Sequence, residues 1–419
     1  MPRRGHDADR PTIARHAPQR TRSTAGRVFR LLGISLAVVL VSVIGVGTFL
    51  IVDLFARIGD DAVVLEGAPE VDPPTIGAYP ADKSFSILIA GTDECGERAT
   101  ALFAERCEEA DGLRRNDVTL LVHVSAEPRN VTVVSLPRDL GVEVPECTRP
   151  DGSVASAMQK ARMNSLFEHA GLSCVAKTVS TLGDIPIEFA AAISFDGVMA
   201  VTDAIGGVEV CIAGEGIRDR HTGIDWPAGM RTVSGVEALQ FIRTRHGVGD
   251  ESDLARISNQ QQYMSRLAKK VLSEETLTDV PTVLRIANAV ADNIDPSESL
   301  NDPLRLAQLA LALKDVKFSD FVFVQYPNVV DPDDDDRVVP NEAAAEQLWA
   351  AIKSGQPLQL TGDVATRRGV ELVTPAPGET DGTAATPAPT ETPDARATLP
   401  PDVSGQTLEQ ETCAVGNQR

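Results

Sequence analysis

Phe85-Ser-Ile-Leu-Ile-Ala-Gly-Thr-Asp93 is the stretch that decides the fold. A short apolar run stops at Gly91 and hands over to polar residues, which reads as a buried strand ending at the glycine. Val118–Val124 and Val131–Leu136 read as two more strands, joined as a hairpin by the polar Glu127-Pro-Arg-Asn130 turn. Further strands are expected at Ile187–Phe195, at Val208–Ile212 after the Gly206-Gly207 break, and at Lys317–Val324. Between them lie helical patterns at 156–171, 175–182, 196–204, 235–243, 253–272, 280–293, 302–314 and 342–352. Interleaving of this kind predicts an α/β fold, a mixed central β-sheet flanked by helices.

Working outward, the N-terminus bears on compartment. Residues 1–30 carry eight Arg against Asp7 and Asp9, a basic tail of +6. The next 22 residues, Leu31–Val52, hold no charge and are long enough for a transmembrane helix. Bulky residues at Phe49–Asp53 offer no small-residue cleavage site, so a cleaved signal peptide is the alternative reading. The basic flank would stay cytoplasmic, placing the rest of the chain in the extracytoplasmic space as a single-pass cell-membrane protein. Residues 53–82 contain Asp72-Pro73-Pro74 and Tyr79-Pro80 and read as an extended stalk. The main domain is expected over 83–360. Residues 361–419 read as a Pro/Thr-rich disordered tail, because 374–401 offer almost no large apolar side chains to bury.

The net charge is −21, which leaves −27 beyond residue 30. An exterior this acidic excludes nucleic acid as the bulk partner. All six cysteines (95, 107, 147, 174, 211, 413) fall on the proposed outside, where three disulfides are plausible and free buried thiols are the alternative. Cys95 with Cys107 closes the shortest loop, and Cys211 with Cys413 would tie the far tail to the domain. Six scattered histidines do not make a zinc site, and nucleophile-elbow, P-loop and His-Glu-x-x-His motifs are missing. Asp331–Glu342 imitates a calcium loop but has Asp336 where glycine is required and Pro340 further on, so it reads as a solvated acidic loop.

Against this acidic background, Phe241-Ile-Arg-Thr-Arg-His-Gly-Val-Gly-Asp250, with Asp253-Leu-Ala-Arg256 and Gln260-Gln-Gln262, is a cationic knot. The planar fork of a guanidinium matches phosphate oxygens, so a phosphate-bearing ligand is expected. Gly91-Thr-Asp93 ends a strand, Arg115-Asn-Asp117 precedes one, and Pro137-Arg-Asp139 closes a third. Ligand groups gather at such strand ends. Asp93 and Asp117 could hold Mg²⁺ (or Mn²⁺) against a phosphate. Singly, each motif is better explained by a capped turn or a solvated arginine.

Taken in order, these pieces resemble the LytR-CpsA-Psr family of cell-wall proteins. The resemblance rests on Ile87-Leu-Ile-Ala-Gly-Thr-Asp93, Arg115-Asn-Asp117, Ser135-Leu-Pro-Arg-Asp139, Arg162-Met-Asn164, Phe195-Asp-Gly197, Asp203-Ala-Ile-Gly-Gly-Val208, Ser234-Gly-Val-Glu-Ala-Leu239 and Arg243-Thr-Arg-His246 through Arg256 and Gln260. It implies a membrane-anchored transferase that moves a glycopolymer from a polyprenyl-pyrophosphate carrier to peptidoglycan through a phosphodiester. By that likeness Asp93 and Asp117 would hold Mg²⁺. Arg115, Arg138, Arg162, Arg243, Arg245, Arg256 and Gln260 would bind the pyrophosphate. Asp93, Arg138, Arg243 and Arg245 would carry the chemistry, with Asp93 as the base. A hydrophobic lipid-binding channel is also implied. Val198–Ile205 and Val283–Val290 have apolar faces that could line it, although ordinary core packing is the better explanation of the same pattern. Arg162 stands where the family commonly has lysine, and the insert bearing Cys95 and Cys107 is longer than usual. Alternative functions are hydrolysis of polyprenyl pyrophosphate and a non-catalytic, lipid-carrier-binding or regulatory role.

Overall fold

In a computed structural model, the structure describes residues 35, 62–102, 107, 114–362, 369–373 and 396–417. The expected transmembrane helix and basic tail lie outside the described residues, apart from Ser35. Among the described residues no helix is long and apolar enough to cross a membrane.

The central sheet starts with strands β1 (Phe85–Thr92), β2 (Asn116–Val124) and β3 (Val131–Leu136), an antiparallel meander. Helix α1 (Leu166–Gly183) leads to β4 (Phe189–Ile193), which runs parallel to β1. Helix α2 (Phe195–Ala204) then leads to β5 (Val208–Ala213) and β6 (Gly229–Val233), an antiparallel pair in a second sheet. Helices α3 (Gly235–Arg243), α4 (Asp253–Val271) and α5 (Val280–Asn293) follow. Strand β7 (Ile294–Pro296) joins the outer edge of β4. Beyond α6 (Pro303–Leu313), β8 (Phe321–Gln325) pairs parallel to β3. After α7 (Glu342–Lys353) come β9 (Val370–Leu372), β10 (Gly405–Thr407) and β11 (Thr412–Val415). The seven-stranded sheet is ordered β7-β4-β1-β2-β3-β8-β10, and the four-stranded one β6-β5-β11-β9.

Period-two alternation explains why both faces of the large sheet are covered. Leu88, Ala90, Val134, Leu136, Val322 and Val324 face one core with α1 and α7. Phe85, Val131, Val133, Phe321 and Phe323 face the other, with Leu309 of α6. Successive side chains of a strand point to opposite faces, so strands buried on both sides read as continuous apolar runs. The expected α/β fold with a mixed sheet is observed.

Four sequence expectations are corrected. Met158–Arg162 is a strand paired with Gly141–Val144, so the helix starts at Leu166 rather than Ser156. The acidic segment is a hairpin, Asn328–Asp331 against Asp334–Pro340, with Asp331 buried beneath the Lys160 ammonium (2.7 Å). The part of the stalk from residue 62 is packed on the domain: Tyr79 is buried against Phe85 at 4.7 Å, and Arg305 holds the Asp72 carbonyl. Finally, residues 396–417 are not a disordered tail, because they supply β10 and β11. All six cysteines are paired, as 95–107, 147–174 and 211–413.

Candidate active site

The site is built where β1 and β3 end and β2 begins. Gly91 pairs with Val118 and Thr92 with Asn116, so Asp117 is the extra residue of a β-bulge. Bulges re-aim side chains. Here the carboxylate of Asp117 meets the Arg138 guanidinium at 2.8 Å. Gly91 is required by the close approach, since a Cβ there would stand 3.0 Å from that of Val118. Asn116 is fully buried: its amide donates to Thr119 Oγ1 and the Met163 carbonyl, and its oxygen accepts from Phe167 N–H. Asn164 N–H in turn donates to the Arg138 carbonyl, so the 162–167 segment braces the loop that presents Arg138.

Arg138 is half-buried beside Asp117 and Asp139. Burial alone would lower its pKa, but the facing carboxylates of Asp117, Asp139 and Asp253 outweigh that and raise it, holding the guanidinium charged. Helix α4 begins with Ser252, whose hydroxyl accepts from Ala255 N–H in the usual capping manner. Asp253 in its first turn is almost fully buried, which pushes its carboxyl above the ordinary range despite the guanidinium of Arg256 at 2.5 Å.

The arginine knot is set by two helices meeting. Helix α3 ends at Arg243, leaving carbonyls without intrahelical partners. Side-chain amides of α4 donate to carbonyls of this last turn, Asn259 to that of Phe241 (2.8 Å), which Thr244 N–H also reaches, and Gln260 to that of Ile242 (2.9 Å). Gln262 reaches the Cys211 and Thr412 carbonyls, tying α4 to the second sheet. The glutamine run is thus largely structural, a role its composition did not reveal. Arg243 lies over the Phe195 ring at 4.7 Å, a cation–π contact. Arg245 donates from Nε to the Glu251 carbonyl.

Asp117, Arg138, Arg243, Arg245, Arg256 and Gln260 line one cavity of about 270 Å³. Four arginines share this lining with the acids Asp117 and Asp219. Three predicted residues do not line it. Asp93 lies next to it, its Oδ1 accepting from Arg115 N–H at 2.7 Å. Arg115 turns outward to Glu168 at 3.4 Å, and Arg162 lies between Asp139 and Asp334 at 3.5 and 3.6 Å. Asp219, His221 and Thr222, which sequence reasoning passed over, do line it. Their only signal was a polar stretch after a short strand. Buried Asp219 accepts from Arg245 N–H and His221 N–H, fixing the turn that faces the knot.

A small apolar annex of about 50 Å³, lined by Leu120, Met264 and Phe323, shares Val118, Ile242 and Gln260 with this cavity. Val198 lines the main cavity, as one of the two expected apolar segments required. Val283 and Leu284 of the other are partly exposed and line neither. Among the described residues no group of three His, Cys, Asp or Glu could hold a metal by itself. Mg²⁺ commonly takes one or two carboxylates and completes its shell with substrate phosphate and water, and the carboxylates at hand are Asp117 in the lining and Asp93 beside it.

The chain as a whole is similar to known proteins. The chain is 29% identical over 270 residues to the cell wall biosynthesis protein LcpA of Corynebacterium glutamicum, covering 59% of this chain and 50% of that one. It is 25% identical over 243 residues to the polyisoprenyl-teichoic acid–peptidoglycan teichoic acid transferase TagT of Bacillus subtilis, covering 57% and 67%. The match thus spans between half and about two thirds of these relatives' length. Protein gbs0355 of Streptococcus agalactiae has the same fold, with TM-score 0.51 and 20% identity over 65% of this chain and 88% of that one. The model of the LytR_cpsA_psr family matches residues 64–354, well over half of the chain. The chain belongs to the LytR-CpsA-Psr family.

Proposed function

We propose that this protein transfers a glycopolymer from a polyprenyl-pyrophosphate carrier to peptidoglycan, forming a phosphodiester and releasing polyprenyl phosphate. The observation that carries the reading is the cavity lined by four arginines with a small apolar annex behind a shared wall, which suits a diphosphate attached to a lipid. The names of the relatives, a teichoic acid transferase and a cell wall biosynthesis protein, support the same reading. We further propose that residues 31–52 anchor the chain in the membrane with the domain outside, the compartment in which three disulfides persist.

Arg138, Arg243, Arg245 and Arg256 would clamp the diphosphate and neutralise charge as the phosphorus–oxygen bond breaks. Phosphoryl transfer depends chiefly on such positioning and neutralisation. Mg²⁺ (or Mn²⁺) held by Asp93 and Asp117 would supply further neutralisation when bound. Asp93, engaged by the Arg115 N–H, suits that ligand role better than the role of base. Arg115 and Arg162 would contribute to the outer field of the site.

The test incubates the full chain in detergent with a lipid-linked diphospho-oligosaccharide, peptidoglycan and Mg²⁺. Ligated product is expected, falling about 100-fold or more in Arg138→Ala and Arg243→Ala. Donor binding without turnover in the wild type would overturn transfer. Phosphate release without ligation would favour hydrolysis.

A further inference from the structure

Beside the arginine cavity lies a second, larger concavity of about 600 Å³. It is bounded by Arg218, Arg220, Asp225, Trp226, Glu251 and Asn417, a mixed set of donors and acceptors with one aromatic edge. The two spaces share Asp219, His221 and His246. The apolar annex shares a wholly different set with the arginine cavity, Val118, Ile242 and Gln260. A phosphate held by the arginines therefore has an apolar space behind one wall and a polar one behind another.

Close backbone approaches fix the segments around the polar groove. A Cβ on Gly247 would collide with Asp219 and the Arg218 carbonyl, and one on Gly416 with the Gly216 carbonyl. Asn417 closes one end, donating to the His246 carbonyl and, at 2.8 Å, to Glu251 Oε1. The Trp226 ring is buried, stacked with Phe241 (centroids 6.2 Å apart) and covered by Arg231 (4.4 Å). The groove thus offers hydrogen bonds and charges rather than a stacking platform. At the junction His221 and His246 lie with ring centroids 4.4 Å apart, and His246 Nδ1 faces Glu251 Oε2 at 3.6 Å.

We infer that this groove is the acceptor subsite, binding the hydroxyl- and amide-rich glycan that receives the phosphoryl-linked polymer. The inference rests on the proposed transfer and extends it. In displacement at phosphorus the attacking and leaving oxygens lie roughly in line. A lipid phosphate departing along the apolar wall then requires the incoming hydroxyl to enter from elsewhere, and the groove supplies that entry. The glycan hydroxyl oxygen forms a bond to the sugar-bearing phosphorus. The bond from that phosphorus to the bridging oxygen breaks, and its electron pair leaves with the polyprenyl phosphate. The hydroxyl proton passes to His246 Nε2, while Glu251 orients the ring through Nδ1, the division of roles seen where a carboxylate positions a catalytic imidazole.

The test measures binding of a soluble peptidoglycan glycan fragment, and separately of a lipid diphosphate, to the full chain by calorimetry. The variants are Arg220→Ala/Asp225→Ala, whose side chains belong to the groove alone, and Arg243→Ala. The double variant is expected to weaken glycan binding at least ten-fold and leave lipid diphosphate binding unchanged, with Arg243→Ala doing the reverse. Wild type that binds no glycan, or a double variant that binds it as wild type does, overturns the subsite. Wild type that binds glycan in the groove but no lipid diphosphate would leave the subsite standing and remove the proposed donor instead.

Discussion

His123 shows how much one buried residue can shape the pH response. It lies within β2 with Nδ1 3.2 Å from Ser86 Oγ, and burial pushes its pKa down to about 4. The unfolded chain takes up this proton near pH 6.5. Between roughly pH 6.5 and 4 the unfolded state therefore binds a proton that the folded state refuses. Stability from this source is complete above pH 6.5 and falls by about 3 kcal/mol as the pH drops toward 4. His123→Asn keeps a polar partner for Ser86 but cannot be protonated. Thermal unfolding at pH 7 and pH 5 should show a smaller loss in the variant; equal losses would exclude His123 as the acid-sensitive group. At this scale the arginines of the site were legible, because guanidinium groups concentrated in an acidic chain need an anionic reason. Asp219 and His221 were not, since their role comes from a turn brought over the knot by tertiary packing.

Helices and strands were legible where burial imposes a period. Strands β1 to β3 read as apolar runs because both faces are covered. Met158–Arg162 misled because Met158, Ala161 and Leu166 also fit a helical spacing; pairing with Gly141–Val144 overrides that pattern. The hairpin at 328–340 was hidden by its aspartates, whose charge is met by Lys160 and Arg337 from outside the segment's own pattern or from within its second strand. The junction of α3 and α4 makes the element-scale prediction. Asn259 is fully buried and caps the Phe241 carbonyl, one residue pair before Arg243. Asn259→Ala should cost about 1 kcal/mol in denaturant unfolding, the usual consequence of losing one buried hydrogen bond, since Thr244 N–H still reaches the Phe241 carbonyl. It should also weaken lipid diphosphate binding through fraying of the α3 end. Loss of stability with binding intact would confine the residue to a structural role.

The whole molecule depends on a C-terminal segment whose role composition concealed. The Pro/Thr-rich stretch before it marks a linker, and the following residues look too short and polar to matter alone. Their strands gain partners only from distant elements: β10 from β8 at the edge of the large sheet, β11 from β5 and β9 in the small one. The same segment reaches the site, because Gly249 N–H donates to the Val415 carbonyl and Asn417 N–H to that of Gly247. Cys211–Cys413 locks it across a separation of 202 residues. By the chain-entropy argument a loop of this length stabilises by about 5 kcal/mol, against about 3.5 for the 27-residue separation of Cys147–Cys174. Serine at both 211 and 413 should therefore lower the melting temperature more than serine at both 147 and 174. Only the first pair should raise amide hydrogen exchange across residues 245–251, where Arg245 and His246 sit between the arginine cavity and the polar groove. Unchanged exchange in that loop, with β11 released, would show that the segment braces the sheet without positioning the site.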